Sequence, residues 1–375
     1  MNPSDELHAL LALTCTPHVG VILGRRLVEG MGTAKAVYEN RTELSERIPG
    51  VRSSLISALD CPAALKLAEE EIRYIEKNHI RCLTINDKEY PSRLRECEDA
   101  PLVIYTYGNA DLNSKHIVSI VGTRRATNYG RDICEAFVSD LAKLCPNTLV
   151  VSGLAYGIDV AAHRAALANN LPTIGVLAHG LDRIYPSTHR SVASEMIHQG
   201  GLVTEFMSFT TPERQNFVKR NRIIAGLADA TVVVESAQKG GSLITADFAL
   251  NYGRECFAFP GRISDENSRG CNALIQNNGA ALICSAEDFL KGMNWETSAS
   301  DTSGVQKQLF PEMDLTSEET MVMEIIRKNE DGIHIDSLML QADIPINRLR
   351  SMLFNLEMKG LVRPLPGACY RAVTL

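Results

Sequence analysis

VVSGLAYGIDVAAHRAAL, at Val150–Leu167, gives the clearest indication of the fold class. A run of β-branched residues ends at a glycine-bearing turn, and a helical pattern follows it. This succession is typical of a parallel sheet whose connections cross over as helices. The fold class predicted for residues 79–292 is therefore α/β, an extended Rossmann-like parallel sheet domain with helices on both faces. Similar patterns predict its strands, which begin near Ile80, Leu102, Ile117, Thr148, Thr173, Gly201, Thr231, Cys256 and Ala281.

Two smaller domains are predicted to flank the sheet domain. Residues 1–78 alternate short helical patterns with turns such as Val19-Gly20-Val21, and they resemble a small helix-hairpin-helix or sterile-alpha-motif (SAM)-like domain. Amides that open a helix after such a turn can face a phosphate, but a helical bundle that packs on a neighbour has the same pattern. Residues 293–314 show no period and are interpreted as a linker. Residues 315–375 begin with a capping signal at Thr316 and predict a winged-helix domain.

Composition restricts the classes of function. The chain has 375 residues, 45% of them hydrophobic, which is enough for two or three domains with large cores. No apolar run is long enough to span a bilayer and no secretory signal is present, so we expect no membrane association and a cytoplasmic location. The ten cysteines form no CxxC pair or Cys/His cluster, so no metal site is expected. Because the net charge is −7, a nucleic-acid site would have to be a local basic groove.

Four predicted strands end in glycine-bearing loops. Because the carboxyl ends of parallel strands lie at one edge of a sheet, these loops are expected to converge there. Thr123 is expected to cap the helix after the first loop, and the fourth loop is expected to form an anion nest at residues 239–242. The four stretches are Ser119–Asp132 (SIVGTRRATNYGRD), Val150–Leu167, Leu177–Arg190 (LAHGLDRIYPSTHR) and Val232–Arg254 (VVVESAQKGGSLITADFALNYGR).

A basic run lies between the third and fourth loops. TPERQNFVKRNRIIAGLADA, at Thr211–Ala230, places Arg214, Lys219, Arg220 and Arg222 within nine residues of an otherwise acidic protein. Phe217 lies among these cations. A basic groove with an aromatic ring suits a single strand whose phosphates follow the charges while a base stacks on the ring.

These stretches, together with Phe257–Ala280 (FAFPGRISDENSRGCNALIQNNGA), resemble the family of the DNA-processing protein DprA, also called Smf. The resemblance covers essentially the whole sheet domain, and the flanking domains are similar to those of many family members. It implies a non-catalytic protein of natural transformation and recombination. Such a protein binds and protects incoming single-stranded DNA and helps to load the RecA recombinase. No cofactor is expected.

The resemblance also implies which residues meet DNA and which join two copies. A homodimer would form through the last strand and helix of the sheet domain, at residues 272–283, with Leu274, Ile275 and Leu282 as candidates. With Phe217 added from the pattern of the basic run, the candidate DNA-binding residues are Gly122, Thr123, Arg124, Ser152, Gly153, Phe217, Lys219, Arg220, Asn221, Lys239, Gly240, Gly241 and Ser242.

Other functions fit the sequence less well. The chain has neither a dinucleotide-binding G-x-G-x-x-G turn nor a Walker P-loop. One alternative is a nucleotide-processing enzyme of the nucleoside monophosphate hydrolase type. Its Gly-Gly-x-Gly-Thr-x-x-Glu loop would fall at residues 239–247, which read KGGSLITAD and lack the third glycine and the glutamate. The other alternative is a duplex-binding regulator, whose recognition helix would offer Asn347, Arg348, Arg350 and Lys359.

Overall fold

The predicted alternation of strands and helices produces one nine-stranded sheet, with strand order β1-β2-β6-β5-β4-β3-β7-β8-β9. The computed structural model describes residues 5–296, 316–329, 332–365 and 367–373, in two units at residues 1–300 and 301–375. Most of the predicted linker, at residues 293–314, lies outside the described residues. The strands are β1 Arg81–Thr84, β2 Val103–Gly108, β3 Ile117–Gly122, β4 Leu149–Ser152, β5 Thr173–Val176, β6 Gly200–Thr204, β7 Ala230–Glu235, β8 Glu255–Ala258 and β9 Ala281–Leu282.

The sheet is parallel from β6 to β9, as predicted, but its first two strands are not. Strand β2 pairs antiparallel with β6, and β1 pairs antiparallel with β2. The only helix between β1 and β2 is the one-turn helix Ser92–Arg95, which is too short for the crossover that a parallel pair needs. The all-parallel expectation is therefore wrong at this edge, while the α/β fold class is confirmed.

Helices cover both faces of the sheet and form the N-terminal segment. Strand β3 lies between β4 and β7. One half of the sheet extends from β3 through β4, and the other half extends in the opposite direction through β7. A crevice opens where the two halves meet, at the carboxyl ends of these strands. The helices of this unit are α1 Glu6–Cys15, α2 Val21–Met31, α3 Ala34–Glu39, α4 Leu44–Arg47, α5 Ser53–Ala58, α6 Pro62–Lys77, α7 Ser92–Arg95, α8 Asn128–Leu144, α9 Ile158–Ala168, α10 Arg190–Gln199, α11 Arg214–Leu227, α12 Gly241–Asn251, α13 Arg269–Gln276 and α14 Ala286–Met293.

The N-terminal helices share an apolar core with the sheet. Leu10 and Leu13 of α1 and Leu27 of α2 are fully buried in the same cluster as Ile104 of β2 and Val176 of β5. Burial of each such side chain contributes about 1.5 to 3 kcal/mol to the stability of the fold. The segment is thus packed onto the sheet, and the boundary at residue 78 stays a prediction.

The second unit has its own core and the element order predicted for a winged helix. Thr316 and Glu319 form a capping box, in which each side chain accepts a hydrogen bond from the backbone amide of the other residue. Buried apolar side chains from three helices, such as Val322, Leu338 and Leu353, pack together. The elements are α15 Ser317–Lys328, β10 Ile333–His334, α16 Ile335–Ala342, α17 Ile346–Met358, β11 Val362–Leu365 and β12 Cys369–Ala372, and the three strands form an antiparallel sheet.

A buried histidine makes the stability of the first unit depend on pH. His163 of α9 is fully buried, and its Nδ1 lies 2.7 Å from Thr173 Oγ1. Because that hydroxyl donates to the carbonyl oxygen of Val150, Nδ1 is the donor in the contact. Nε2 has no partner among the described residues. Burial, together with the charge of Arg220, lowers the pKa of His163 to about 3.

We expect the free energy of unfolding to fall as the pH falls below about 6.5, the ordinary pKa of histidine. Between pH 6.5 and the pKa of His163 in the folded chain, the unfolded chain binds the proton and the folded chain does not. This group therefore removes about 1.4 kcal/mol of stability per pH unit. A His163→Asn variant keeps a donor near Nδ1 and should lose this part of the pH dependence. Urea unfolding at several pH values, followed by fluorescence of the single Trp295, measures the slope. Equal slopes in the two proteins would contradict the prediction.

Candidate nucleic-acid interface

The loops that follow β3, β4 and β7 meet at the crevice in the sheet. The backbone amide of Thr123 donates to the carbonyl oxygen of Glu235 at 2.7 Å, and the amide of Ile158 donates to the carbonyl oxygen of Thr123 at 3.2 Å. The first loop is thus joined by its backbone to the second and to the fourth. The predicted convergence of these loops is present in the structure.

Gly157 allows two of these loops to touch. Its φ of +80° lies in the region that side chains with a Cβ rarely adopt. A Cβ at this position would collide with the carbonyl oxygen of Thr123 and would lie 2.7 Å from the carbonyl carbon of Arg124. Both the backbone angle and the close approach therefore require glycine here.

Helix α11 completes a cavity of about 560 Å³, which we call the loop cavity. Its walls come from the loops after β3 and β7, the start of α9 and one side of α11. The structure therefore brings together most of the candidate residues. Those that line the cavity are Gly122, Thr123, Arg124, Phe217, Arg220, Asn221, Lys239, Gly240, Gly241 and Ser242.

Phe217 lies between two arginines in the loop cavity. The guanidinium carbon of Arg124 lies 4.8 Å from the centre of the ring, and that of Arg220 lies 5.9 Å from it. Tyr185, from the third loop, contacts the ring at 5.9 Å between centroids. The ring is half-buried, so part of it stays open to the cavity.

Arg220 is a buried cation that holds the loops together. Only 3% of the residue is exposed, and Nη1 donates to the carbonyl oxygens of Gly153, at 2.6 Å, and Val176. Burial lowers the pKa of Arg220 to about 10, and the nearby carboxylate of Asp159 opposes that shift. These contacts give the side chain a structural role, and its contact with DNA stays a prediction.

Three candidate residues do not line the loop cavity. Ser152 is fully buried, and its hydroxyl donates to the carbonyl oxygen of Ile120 at 2.6 Å. Gly153 lies against the guanidinium of Arg220, where a Cβ would not fit. Lys219 is exposed on the neighbouring side of α11.

The predicted cap of α8 also differs from the structure. Thr127 occupies that position and accepts from the amide of Gly130. The hydroxyl of Thr123, the expected cap, accepts instead from the amide of Arg125 at 3.2 Å. Helix α8 therefore begins four residues later than the pattern suggested, which leaves Arg124 in the loop.

The loop cavity carries an excess of positive charge. Among the described residues, Arg124, Arg214 and Lys239 have no carboxylate within ion-pair distance. Asp159 is the carboxylate in the lining. Burial raises the pKa of Asp159, and the charges of Arg220 and Arg124 oppose that shift. The basic groove that the overall composition concealed is thus a local feature.

A second group of contacts holds the segment that precedes α11. Glu71 of α6 is 5% exposed, and its two carboxylate oxygens each accept from the amide of Ser208 at 3.1 Å. The Ser208 hydroxyl donates to the same carboxylate. Tyr74 packs edge to face on Phe209 at 5.2 Å, and the Phe209 amide donates to Asp182 at 2.7 Å. Helix α6 and Asp182 therefore hold Ser208 and Phe209, in the middle of the segment that leads into α11.

Sequence reasoning missed some of these residues. Tyr185 lies in a loop that the glycine pattern identified, and its aromatic side chain was a usable signal. Asp159, at the start of α9, was not among the candidates, and it lies in the cavity near Arg220. Glu71 is distant in sequence from every candidate residue, and no local pattern indicates its contact with Ser208.

The candidate dimer residues lie at one edge of the sheet. Strand β9 is the last strand and has no partner on its outer side within the described residues. Leu282 is 51% exposed, while Leu274 and Ile275 of α13 are partly buried. The pairing of two copies stays a prediction.

The described part of the chain offers neither a cluster of metal ligands nor a membrane-spanning helix. No group of three or more His, Cys, Asp or Glu residues is placed to hold a metal ion there. No helix there is long and apolar enough to cross a membrane.

Two family models match the chain. The model described as DNA recombination-mediator protein A matches residues 81–294, and the model described as DprA winged helix domain matches residues 306–368. Protein Smf of Escherichia coli is 33% identical over 312 residues, which cover 82% of this chain and 81% of that protein. The DNA processing protein DprA of Streptococcus pneumoniae is 40% identical over 207 residues, which cover 55% of this chain and 72% of that protein.

Solved structures show the same likeness. The crystal structure of Streptococcus pneumoniae DprA superposes with a TM-score of 0.62 and 30% identity, and the match covers 78% of this chain and 98% of that one. A structure of Helicobacter pylori DprA, described as showing its single-stranded DNA binding mode, superposes with a TM-score of 0.52 and 28% identity. That match covers 57% of this chain and 95% of that one.

Replacing Glu71 by Ala should loosen the segment before α11. The change leaves the amide and the hydroxyl of Ser208 without an acceptor in a partly buried site, which costs about 1 kcal/mol of stability, near the lower end of the penalty for an unsatisfied buried group. Glu71→Gln keeps one oxygen acceptor and should cost less. We expect faster amide hydrogen exchange at residues 205–213 in Glu71→Ala. Glu70→Ala, an exposed change on the same helix, is the control. Unchanged exchange at these residues in Glu71→Ala would show that the carboxylate does not hold them.

Proposed function

The chain belongs to the DNA recombination-mediator protein A family, and on that premise we propose that it binds single-stranded DNA in the loop cavity. One observation carries the proposal. Three cations without a carboxylate partner among the described residues, Arg124, Arg214 and Lys239, surround a cavity that also presents the half-buried ring of Phe217. The single-stranded DNA binding named for the Helicobacter pylori relative supports the proposal.

The cavity offers a separate contact for each part of a nucleotide. Phosphates are attracted to the cations and to the amide of Gly241, the first residue of α12, which has no side-chain cap. A base can stack on Phe217, where Arg124 adds a cation–π contact. The backbone contacts carry no sequence information, so we expect little preference for sequence.

The stacking contact favours an unpaired strand over a duplex. The faces of bases in a duplex are covered by their neighbours, and only a splayed base can reach an aromatic ring recessed in a cavity. In the winged-helix unit, two of the four predicted recognition residues are already paired. Arg348 contacts Glu318 at 2.9 Å, and Lys359 contacts Glu319 at 3.2 Å. This arrangement weakens the case for a duplex-binding regulator.

We infer a role in natural transformation and recombination, in which the bound strand is protected and passed to the RecA recombinase. The description of the family as a recombination mediator supports this role. Two copies would pair at the open edge of β9, where Leu282 is exposed. An unpaired edge strand can be covered by a second copy, which would place two loop cavities on one particle. The cytoplasmic location stays a prediction.

We also propose that the protein performs no reaction on the strand. The loop at residues 239–247 lacks the glutamate expected of a nucleoside monophosphate hydrolase, and Asp247 at that position is exposed. The carboxylate of Asp159 interacts electrostatically with the buried guanidinium of Arg220. Release of free base from a nucleoside monophosphate by the purified chain would favour the enzymatic alternative.

Replacing Arg124 by Glu should weaken single-strand binding strongly. Each phosphate contact that is lost also lowers the salt dependence, by a slope of about 0.7 on a log–log plot. Titration of a labelled oligothymidylate at several salt concentrations measures both effects. Arg164→Glu, which makes the same charge change at an exposed position of α9, is the control. If Arg124→Glu binds as tightly as the unmodified chain, DNA does not occupy the loop cavity.

Replacing Phe217 by Ala should lower the affinity for single strands by about 1 to 3 kcal/mol, the value of one base stacked on an aromatic ring. The salt dependence should not change, because no charge is removed. Phe248→Ala on α12 is the control, since that ring is also half-buried and lies outside the loop cavity. Equal binding by Phe217→Ala and the unmodified chain would restrict Phe217 to a packing role.

A further inference from the structure

A second cavity of about 790 Å³ lies on the other side of α11 from the loop cavity, and we call it the α2 cavity. One wall is the end of α1 and the start of α2, from Leu13 to Arg26. The opposite wall is formed by residues 205–210, after β6, and by α11. The N-terminal helices and the sheet domain therefore enclose it together.

Helix α11 separates the two cavities and contributes side chains to both. Asn221 and Val218 line the loop cavity, whereas Lys219 and Arg222 line the α2 cavity. Val218 is 43% exposed beside Lys219, so the surface of the helix is open between the two cavities. A helix with its side chains is only about 10 Å thick. A strand bound in the loop cavity thus needs to cross one helix to reach the α2 cavity.

The charges in the α2 cavity favour an anion at its rim. Arg222 is buried and paired with the carboxylates of Glu205 and Asp99 on the floor. Lys219 and Arg26 are exposed and have no carboxylate within ion-pair distance among the described residues. Arg222 offsets one of the two carboxylates, so the three cations and two carboxylates of the lining leave a net charge of +1, and the exposed members, Lys219 and Arg26, are both cations. Lys219 lines the cavity from α11 and Arg26 lines it from α2.

The interior of the α2 cavity is mostly apolar. Val19, Ile22, Phe206 and Met207 line it, and Ile22 is 43% exposed although it is a large hydrophobic side chain. Apolar walls below a cationic rim suit a nucleotide whose base packs inside while its phosphate remains outside. The opening amides of α2, which has Gly20 as N-cap and no side-chain cap, lie in the same wall.

We propose that the α2 cavity continues the path of the single strand and holds a further nucleotide. Its base would pack against Ile22 and Phe206, and its phosphate would lie between Lys219 and Arg26. The N-terminal helices would then be part of the DNA-binding surface. This inference rests on the proposed function, since it needs a strand in the loop cavity.

The decisive property is the dependence of affinity on strand length. We compare oligothymidylates of about 4 to 16 nucleotides, which spans the site sizes known for single-strand-binding grooves. The variants Arg26→Glu and Ile22→Asp should have the same affinity as the unmodified chain for the shortest strand whose binding can be detected. Both variants should bind the longest strand several-fold more weakly than the unmodified chain does. For Arg26→Glu, the affinity for that strand should also depend less on salt concentration. Lys66→Glu, an exposed change of the same charge on α6 outside the cavity, should have no effect at any length.

Ultraviolet crosslinking provides a readout that does not depend on affinity. A long oligonucleotide that carries 4-thiothymidine should form adducts in peptides that contain Ile22 or Phe206, and Ile22→Asp should reduce their yield. Normal binding of all lengths by both variants, or the absence of such adducts, would overturn the proposal. Equal weakening at every length would also overturn it, because a loss of folding or of general charge would have that effect.

The two proposals fail in different ways. If the unmodified chain binds no single strand, or if Arg124→Glu has no effect, the loop cavity is not the binding site and the proposed function fails. If Arg124→Glu weakens the binding of every length while Arg26→Glu and Ile22→Asp weaken none, only the α2 cavity is excluded.

Discussion

The candidate site depends on the position of one buried guanidinium. Arg220 donates to the carbonyl oxygens of Gly153, after β4, and Val176, at the end of β5, and it lies over the ring of Phe217. Burying a cation costs several kcal/mol unless hydrogen bonds and an opposite charge compensate, and Asp159 supplies that charge. Because these contacts need no ligand, the loops are already in place before a strand arrives. A preformed site loses less conformational freedom on binding.

The charge distribution explains how an acidic protein can present a site for a polyanion. The net charge of −7 belongs to the whole chain, whereas α11 and the loops beside it concentrate cations without carboxylate partners in the described structure. The acidic remainder repels phosphates elsewhere on the surface, and a concave basic region attracts them. Arg124 can contribute to the binding of a phosphate and to the stacking of a base. It has no carboxylate partner in the described structure, and its guanidinium lies over the ring of Phe217.

The N-terminal helices help to position the candidate site and also form part of the apolar core. Glu71 holds Ser208, and the thiol of Cys15 lies 3.1 Å from the sulfur of Met207, so α1 and α6 fix the segment that leads into α11. The same helices form one wall of the α2 cavity. A change in their packing would therefore alter the direction of α11 and the two cavities that it separates.

The order of strands and helices, the glycine turns at the strand ends, the winged helix and the family could all be predicted from the sequence. These features follow from local periodicity and from motifs that lie within a few turns of chain. Most of the candidate DNA-binding residues line the loop cavity, and they make up half of its lining. The sequence did not place Ser152 and Arg220 in the interior, Lys219 beside the second cavity or Thr127 at the cap of α8. Nor did it indicate that β1 and β2 run antiparallel or that Glu71 meets Ser208. These points became visible in the three-dimensional structure, because burial, ion pairing and the surroundings of each side of a helix depend on segments far apart in the chain.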